Sequence, residues 1–210
     1  KVVSNFMTII PEMLDMWAYM VHGPAIAAIS HLMGTTIGTV ALSSTHSFGA
    51  LTEWGSHPLT DPLASSSSLS VNNYGGTFTR VEKTWMIATD AEAMRSLSVC
   101  SYGRLAGKTV NCSRCQKCIR TMVTLDLCGT TQQSAPTFDW TDYSPSSVAK
   151  LLLRTTNEAI YVKEIQHAAL AMNRPDVAGA CAKAIRRSQM FMFLTDIEIS
   201  LRRRFPGILK

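Results

Sequence analysis

The chain has 210 residues, of which 46% are hydrophobic and 17% charged, with a formal net charge of +5. That length carries one domain or one and a half, and the composition excludes a disordered chain. The charge is uneven: residues 150–210 hold 11 Lys+Arg against 5 Asp+Glu (+6), and residues 1–149 hold 9 against 10 (−1).

The opening KVVSNFMTII lacks the apolar core and cleavage site of a secretory signal. The longest apolar stretch, Gly23–Met33, is too short to span a bilayer. A cytoplasmic protein with reduced thiols and no membrane partner is expected. Val2–Asn5 reads as a strand end running into a loop, which leads to the expectation that an N-terminal portion precedes Lys1.

Pro11–Met20 predicts a helix with Pro11 in its first turn, and His22-Gly23-Pro24 reads as a breaker. Ala25–Met33 predicts a buried helix stopped by Gly34. Thr35–Ser43 is β-branched and predicts a strand. Helix followed by strand suggests an α/β unit with a parallel sheet. Ser44–Ser70 is a long polar segment with Pro58, Pro62 and the serine run Ser65–Ser68; such loops are functional or disordered. Val71 begins a short strand and Asn72–Gly76 a turn. Thr79 is placed to cap a helix from Arg80 to about Thr89, with Glu82 completing a capping box. Asp90 is placed to cap a short helix through Arg95.

Cys118–Cys128 predicts a helix with one apolar face, ended by Gly129. Thr130–Ser147 reads as a linker. Val148–Leu153, Asn157–Met172 and Val177–Arg204 carry helix-spaced apolar residues, with a break at Asn173–Pro175 and a stop at Pro206-Gly207. The expected organisation is an α/β part over 1–130, a linker over 131–147 and a helical appendage over 148–210.

Four of the six cysteines, Cys100, Cys112, Cys115 and Cys118, follow the pattern C-x11-C-x2-C-x2-C. A C-x2-C pair lets two thiolates reach one ion across a tight turn. The second x2 step places a third thiolate at the start of the next helix, and Cys100 supplies a fourth from the preceding loop. Four thiolates suit tetrahedral Zn²⁺ and leave no position open for water, so the expected role is structural. An iron–sulfur cluster takes the same ligands, but Ser113, Arg114, Gln116 and Lys117 give it poor aliphatic wrapping. A C-x2-C redox pair leaves two cysteines unexplained, and four unrelated thiols is the bland alternative. Cys128 and Cys181 are expected as buried structural thiols.

The stretch Cys100-Ser-Tyr102, followed by Asn111-Cys-Ser-Arg-Cys-Gln-Lys-Cys-Ile-Arg-Thr121, resembles the zinc segment of 7-cyano-7-deazaguanine synthase-like proteins. These belong to the PP-loop ATP pyrophosphatase (adenine nucleotide alpha hydrolase) superfamily. His22-Gly23, the strand at Thr35–Ser43, the loop Gly55-Ser-His-Pro-Leu-Thr-Asp-Pro62 and Thr79-Arg-Val-Glu-Lys83 extend the resemblance over roughly residues 1–130. The chain departs from the deazaguanine enzyme in a longer gap between the first two cysteines and in its SHPLTDP loop. It contains no Ser-Gly-Gly run of the kind that forms the superfamily's phosphate loop. The resemblance therefore implies the C-terminal part of a longer enzyme, inactive alone. Such an enzyme uses ATP with Mg²⁺ to adenylate a carboxylate or carbonyl oxygen, which a nitrogen or sulfur nucleophile then attacks.

Arg80 and Lys83, spaced i and i+3 near a helix N-terminus, are candidates for contacting nucleotide or substrate; two solvated charges are the alternative. His57 and Asp61 are weak catalytic candidates for a small-molecule or nucleobase-like substrate, although Asp61 before Pro62 equally makes a turn. Tyr102 either stacks on a base or packs against the cysteine loop, and His22 reads as a helix-entry residue.

The basic tail offers a rival reading. Arg186-Arg187 and Arg202-Arg203-Arg204 suit an anionic partner, so a zinc-stabilised module that binds nucleic acid or protein is the alternative function. Interleaved aromatics are few and no two-Cys, two-His pattern is present, so nucleic acid is not favoured. Met190, Phe191, Phe193, Leu194 and Ile197 read as a packing face, on the core or in a homo-oligomer. The expected fold is α/β, a partial parallel Rossmann-like sheet with a zinc-stapled loop and an α-helical C-terminal tail.

Overall fold

Residues 16–100 and 110–204 are described by the computed structural model. Val2–Asn5, Tyr102, Pro206-Gly207 and residues 11–15 of the first expected helix lie outside them. The fold is mixed α/β and mostly helical. It divides into two units, Lys1–Arg80 and Val81–Lys210.

In the first unit, β1 (Thr39–Ser43) and β2 (Ser70–Tyr74) pair in parallel, with Thr39 opposite Ser70 and Ser43 opposite Tyr74. Leu42, Leu69 and Val71 are buried together with Ala27 of helix α1 (His22–Leu32). The parallel pairing expected from the sequence is present. The connection between the strands contains two 3₁₀ turns, Phe48–Ala50 and Asp61–Ala64, and no α-helix. The polar composition of this segment explains that, because it lacks an apolar stripe at helical spacing to lay on a sheet.

One expectation is corrected here. His22-Gly23-Pro24 does not break the chain: it forms the first turn of α1, directly after a π-helical turn at Trp17–Val21. The π-helical turn just before Pro24 is the kind of local irregularity by which a helix accommodates a residue without an N–H. Gly23 is buried because its amide donates to the Gly55 carbonyl at 2.9 Å.

In the second unit, helix α2 (Arg80–Ala88) starts at the unit boundary and turns Val81, Thr84 and Ala88 inward. Helix α3 (Ala91–Ser96) is capped as expected: Asp90 accepts from the amides of Glu92 and Ala93 at 2.8 and 3.0 Å. Helix α4 (Gln116–Leu127) is central. Its Val123 and Leu127 join a core with Leu153, Val162, Ile165, Val177 and Ala184. Its Cys118, Met122 and Leu125 join a second core with Ala88, Met94 and Phe138. The first core is completed by α5 (Thr156–Ala171) and the N-terminal part of α6 (Pro175–Arg204).

Residues 131–147, expected as a linker, contain Ser134, Thr137 and Phe138 at 0–1% exposure. Phe138 fills the second core, and the Thr137 hydroxyl donates to the Met94 carbonyl at 3.2 Å. Val148–Leu153, expected as helical, is instead the end of a 3₁₀ turn (Pro145–Lys150) followed by extended backbone. There Arg187 donates to the carbonyls of Lys150 and Leu151, and Ser188 accepts from the Leu153 amide. The break between α5 and α6 is where it was expected, with Asn173 at a φ of 54°. Along the far half of α6, Met190, Phe191, Phe193, Leu194 and Ile197 are exposed instead of packed on the core. No helix among the described residues is long and apolar enough to cross a membrane.

Candidate metal centre

Three of the four cysteines are brought together by local structure. Cys115 is the N-cap of α4 in extended backbone, and Cys118 lies in the first turn. Between Cys112 and Cys115 the chain reverses through Ser113, whose φ of 57° is unusual for a residue with a side chain. The Ser113 hydroxyl holds this turn by accepting from the Asp139 amide at 2.8 Å. Cys100 arrives from the segment after α3.

The four sulfurs all lie within 4.8 Å of one another. Cys118 Sγ stands 3.7 Å from Cys112 Sγ and 3.5 Å from Cys115 Sγ. A tetrahedral ion with metal–sulfur bonds of 2.3 Å separates its ligands by about 3.8 Å. The Cys112 amide donates to Cys100 Sγ at 3.3 Å, and the Cys115 amide donates to Cys112 Sγ at 3.4 Å. Both hydrogen bonds favour thiolate over thiol, and so does the positive end of α4.

Without a cation, burial opposes that ionisation. Desolvation raises the Cys115 thiol above its ordinary value, and desolvation with the neighbouring thiols raises Cys118 further. A bound metal reverses the balance, since a coordinating thiol is deprotonated outright. An all-sulfur donor set suits zinc or iron and does not suit magnesium or calcium. Cys128 and Cys181 are separate from this cluster. Burial pushes each of their thiols up to about 12; Cys181 is a core residue as expected, whereas Cys128 is only half-buried against the second core.

Asn111 is a buried residue that the sequence marked only as part of a motif. Its Oδ1 accepts from the Val99 amide at 2.8 Å, and its Nδ2 donates to the carbonyls of Leu97 and Thr137 at 2.8 and 3.0 Å. An asparagine immediately before a C-x2-C turn was the available signal.

The remaining candidates lie elsewhere. In the first unit, Asp61 is 4% exposed and accepts three hydrogen bonds. These come from the Ser56 hydroxyl at 2.7 Å, the Asn73 side-chain amide at 2.7 Å and the His57 backbone amide at 3.0 Å. Asp61 therefore organises the loop against the carboxyl end of β2. The His57 ring is turned to its own loop, where Nδ1 accepts from the Leu59 amide at 3.2 Å. Ser56 was marked only as part of the Gly55–Pro62 motif, and Asn73 carried no sequence signal. Neither did Trp54, whose indole meets Tyr19, His22 and His46 edge-on at 5.4, 5.8 and 5.7 Å. Arg80 and Lys83 share the first turn of α2, and the Arg80 guanidinium reaches the Thr45 carbonyl at 3.5 Å.

Neither family models, curated proteins nor solved structures contain a match to this chain. The four-cysteine cluster is the feature on which a functional reading rests.

Proposed function

We propose that the four cysteines hold one structural zinc ion, within part of a cytoplasmic PP-loop-type enzyme that adenylates a carboxylate or carbonyl oxygen. The observation that carries the zinc is the 3.5–3.7 Å spacing of the Cys118 sulfur from two of its neighbours, close to a tetrahedral edge. Four thiolates close the coordination sphere, so the ion supplies rigidity. It ties Cys100 and the Cys112–Cys115 turn to α4, whose other residues build both cores of that unit.

The enzymatic part rests on the motif resemblance and is supported by the first unit. Ligands of parallel α/β sheets bind beyond the carboxyl ends of the strands. Asn73, near the carboxyl end of β2, is hydrogen-bonded there to Ser56 and Asp61 of the loop. A Rossmann-like sheet extends this strand pair in the proposed parent. Adenylation solves a leaving-group problem, because a carboxylate oxygen does not leave until it carries AMP. Arg80 and Lys83 are the cations offered to nucleotide phosphates, with Mg²⁺ accompanying the ATP. The reading requires a phosphate loop, and no Ser-Gly-Gly run that would form one is present in these 210 residues.

The test is ATP–pyrophosphate exchange by the intact gene product with a panel of carboxylates. Exchange dependent on one acceptor supports the reading. A coding sequence without an SGGxDS-type loop upstream, together with no exchange, overturns it and leaves a zinc-stabilised binding module.

A further inference from the structure

Three of the ligands are neighbours in sequence, and a turn and a helix start present them together. Cys100 is the non-local one. Bringing it to the others closes a chain segment, at an entropic cost that local geometry does not offset. Asn111 is 0% exposed and is hydrogen-bonded both to the segment before Cys100 and to Thr137. Its side chain grips the backbone at Leu97 and Val99, just before Cys100, while its main chain leads directly into Cys112. Its backbone amide and its side-chain amide both donate to the Thr137 carbonyl, at 3.2 and 3.0 Å. Thr137 is in turn anchored through its hydroxyl to Met94. The result is the placement of Cys100 Sγ over the Cys112 amide at 3.3 Å.

We propose that Asn111 is the positioning residue that recruits Cys100 as the fourth ligand, and so sets whether the bound ion has four thiolates or three. This rests on the metal reading above. With Asn111 in place the ion is closed and structural. Without it, Cys112, Cys115 and Cys118 still bind, and the fourth position opens to water.

The experiment is cobalt and zinc titration of the metal-free protein, comparing wild type, Asn111→Ala, Cys100→Ser and the double variant. Co²⁺ bound to four thiolates has stronger sulfur-to-metal charge transfer than Co²⁺ bound to three thiolates and water. Asn111→Ala is expected to give the Cys100→Ser spectrum and a zinc affinity about 10–100-fold below wild type. The double variant is expected to bind no more weakly than Cys100→Ser, because the two residues act through one ligand. A wild-type spectrum in Asn111→Ala, or losses that multiply in the double variant, overturns the proposal. Wild-type protein that takes up neither metal overturns the metal centre itself, a distinguishable failure. The same readout on Asn111→Ser, which keeps a short polar group in the gap, covers an alanine variant that does not fold.

Discussion

Cys118 Sγ stands 3.7 Å from Cys112 Sγ, close to the edge of about 3.8 Å that a tetrahedral ion with four thiolate ligands requires. Protein purified without oxygen is therefore expected to contain one zinc per chain by elemental analysis. Cys115→Ser should lower metal content and thermal stability together. The loss is on the order of several kcal/mol, because structural zinc binding is folding free energy. Stoichiometric iron with a visible charge-transfer band would replace zinc by an iron–sulfur centre.

Metal binding should weaken as pH falls. Burial raises the Cys115 and Cys118 thiols, so near neutral pH these two are protonated in the metal-free protein. Each thiolate that binds the ion releases a proton, and acid drives the reaction back. Zinc affinity measured against a chelator competitor between pH 6 and 8 should change by more than about tenfold per pH unit. A flat profile would mean that the thiols are not the ligands.

Gly23→Ala should destabilise the first unit. A β-carbon at Gly23 meets the Gly55 carbonyl oxygen in a steric clash, with Asp61 Oδ1 and Ser56 Cα each only 2.9 Å away. Two of these three neighbours are backbone atoms and yield little. A loss of about 1–3 kcal/mol or more is expected in urea unfolding. An unchanged midpoint would show that this approach relaxes freely.

Asp61 separates loop architecture from catalysis. Asp61→Ala strands the Ser56 hydroxyl, the Asn73 amide and the His57 N–H that its carboxylate receives. A cost of about 1–3 kcal/mol per buried group left unpaired is expected. Thermal unfolding measures it. Full stability with activity lost in the intact enzyme would make Asp61 a reacting group instead.

Cys128 ties stability to alkaline pH. Its folded thiol is pushed up to about 12 by burial, from an ordinary value of 9.0. Below pH 9 both the folded and unfolded states hold the proton, and the contribution is fully present. Between pH 9 and 12 only the unfolded chain ionises, so the contribution is lost as pH rises. Urea midpoints from pH 8 to 10.5 should fall less steeply in Cys128→Ala than in wild type. At pH 8, Cys128 and Cys181 should both resist alkylation until the protein unfolds.

The grouping of Cys112, Cys115 and Cys118 and the cap at Asp90 were legible because each is encoded within a few residues. A C-x2-C-x2-C run whose last two cysteines fall at a helix N-cap and in its first turn presents three sulfurs together, and an aspartate before α3 meets its own helix amides. A parallel sheet was legible from the helix-then-strand order, but the pairing of β1 with β2 through a connection without an α-helix was not, and Asn72–Tyr74, expected in a turn, belong to β2. The roles of Asn111 and Asp61 were not. Asn111 depends on Leu97, Val99 and Thr137, and Asp61 depends on Asn73, so neither partner set has a fixed sequence spacing.

Residues 131–147 show the same limit from the other side. Their polar, proline-containing composition reads as a linker, yet Phe138 and Thr137 are sealed into a core by residues from α3 and α4. Sequence alone determined which residues have the chemistry to hold a metal, because thiolate ligation and helix capping are local and periodic. Tertiary structure alone decided how Cys100 reaches the other three and where Gly23 meets Gly55. Those contacts join distant parts of the chain, and their energies exist only once the loops between them have closed.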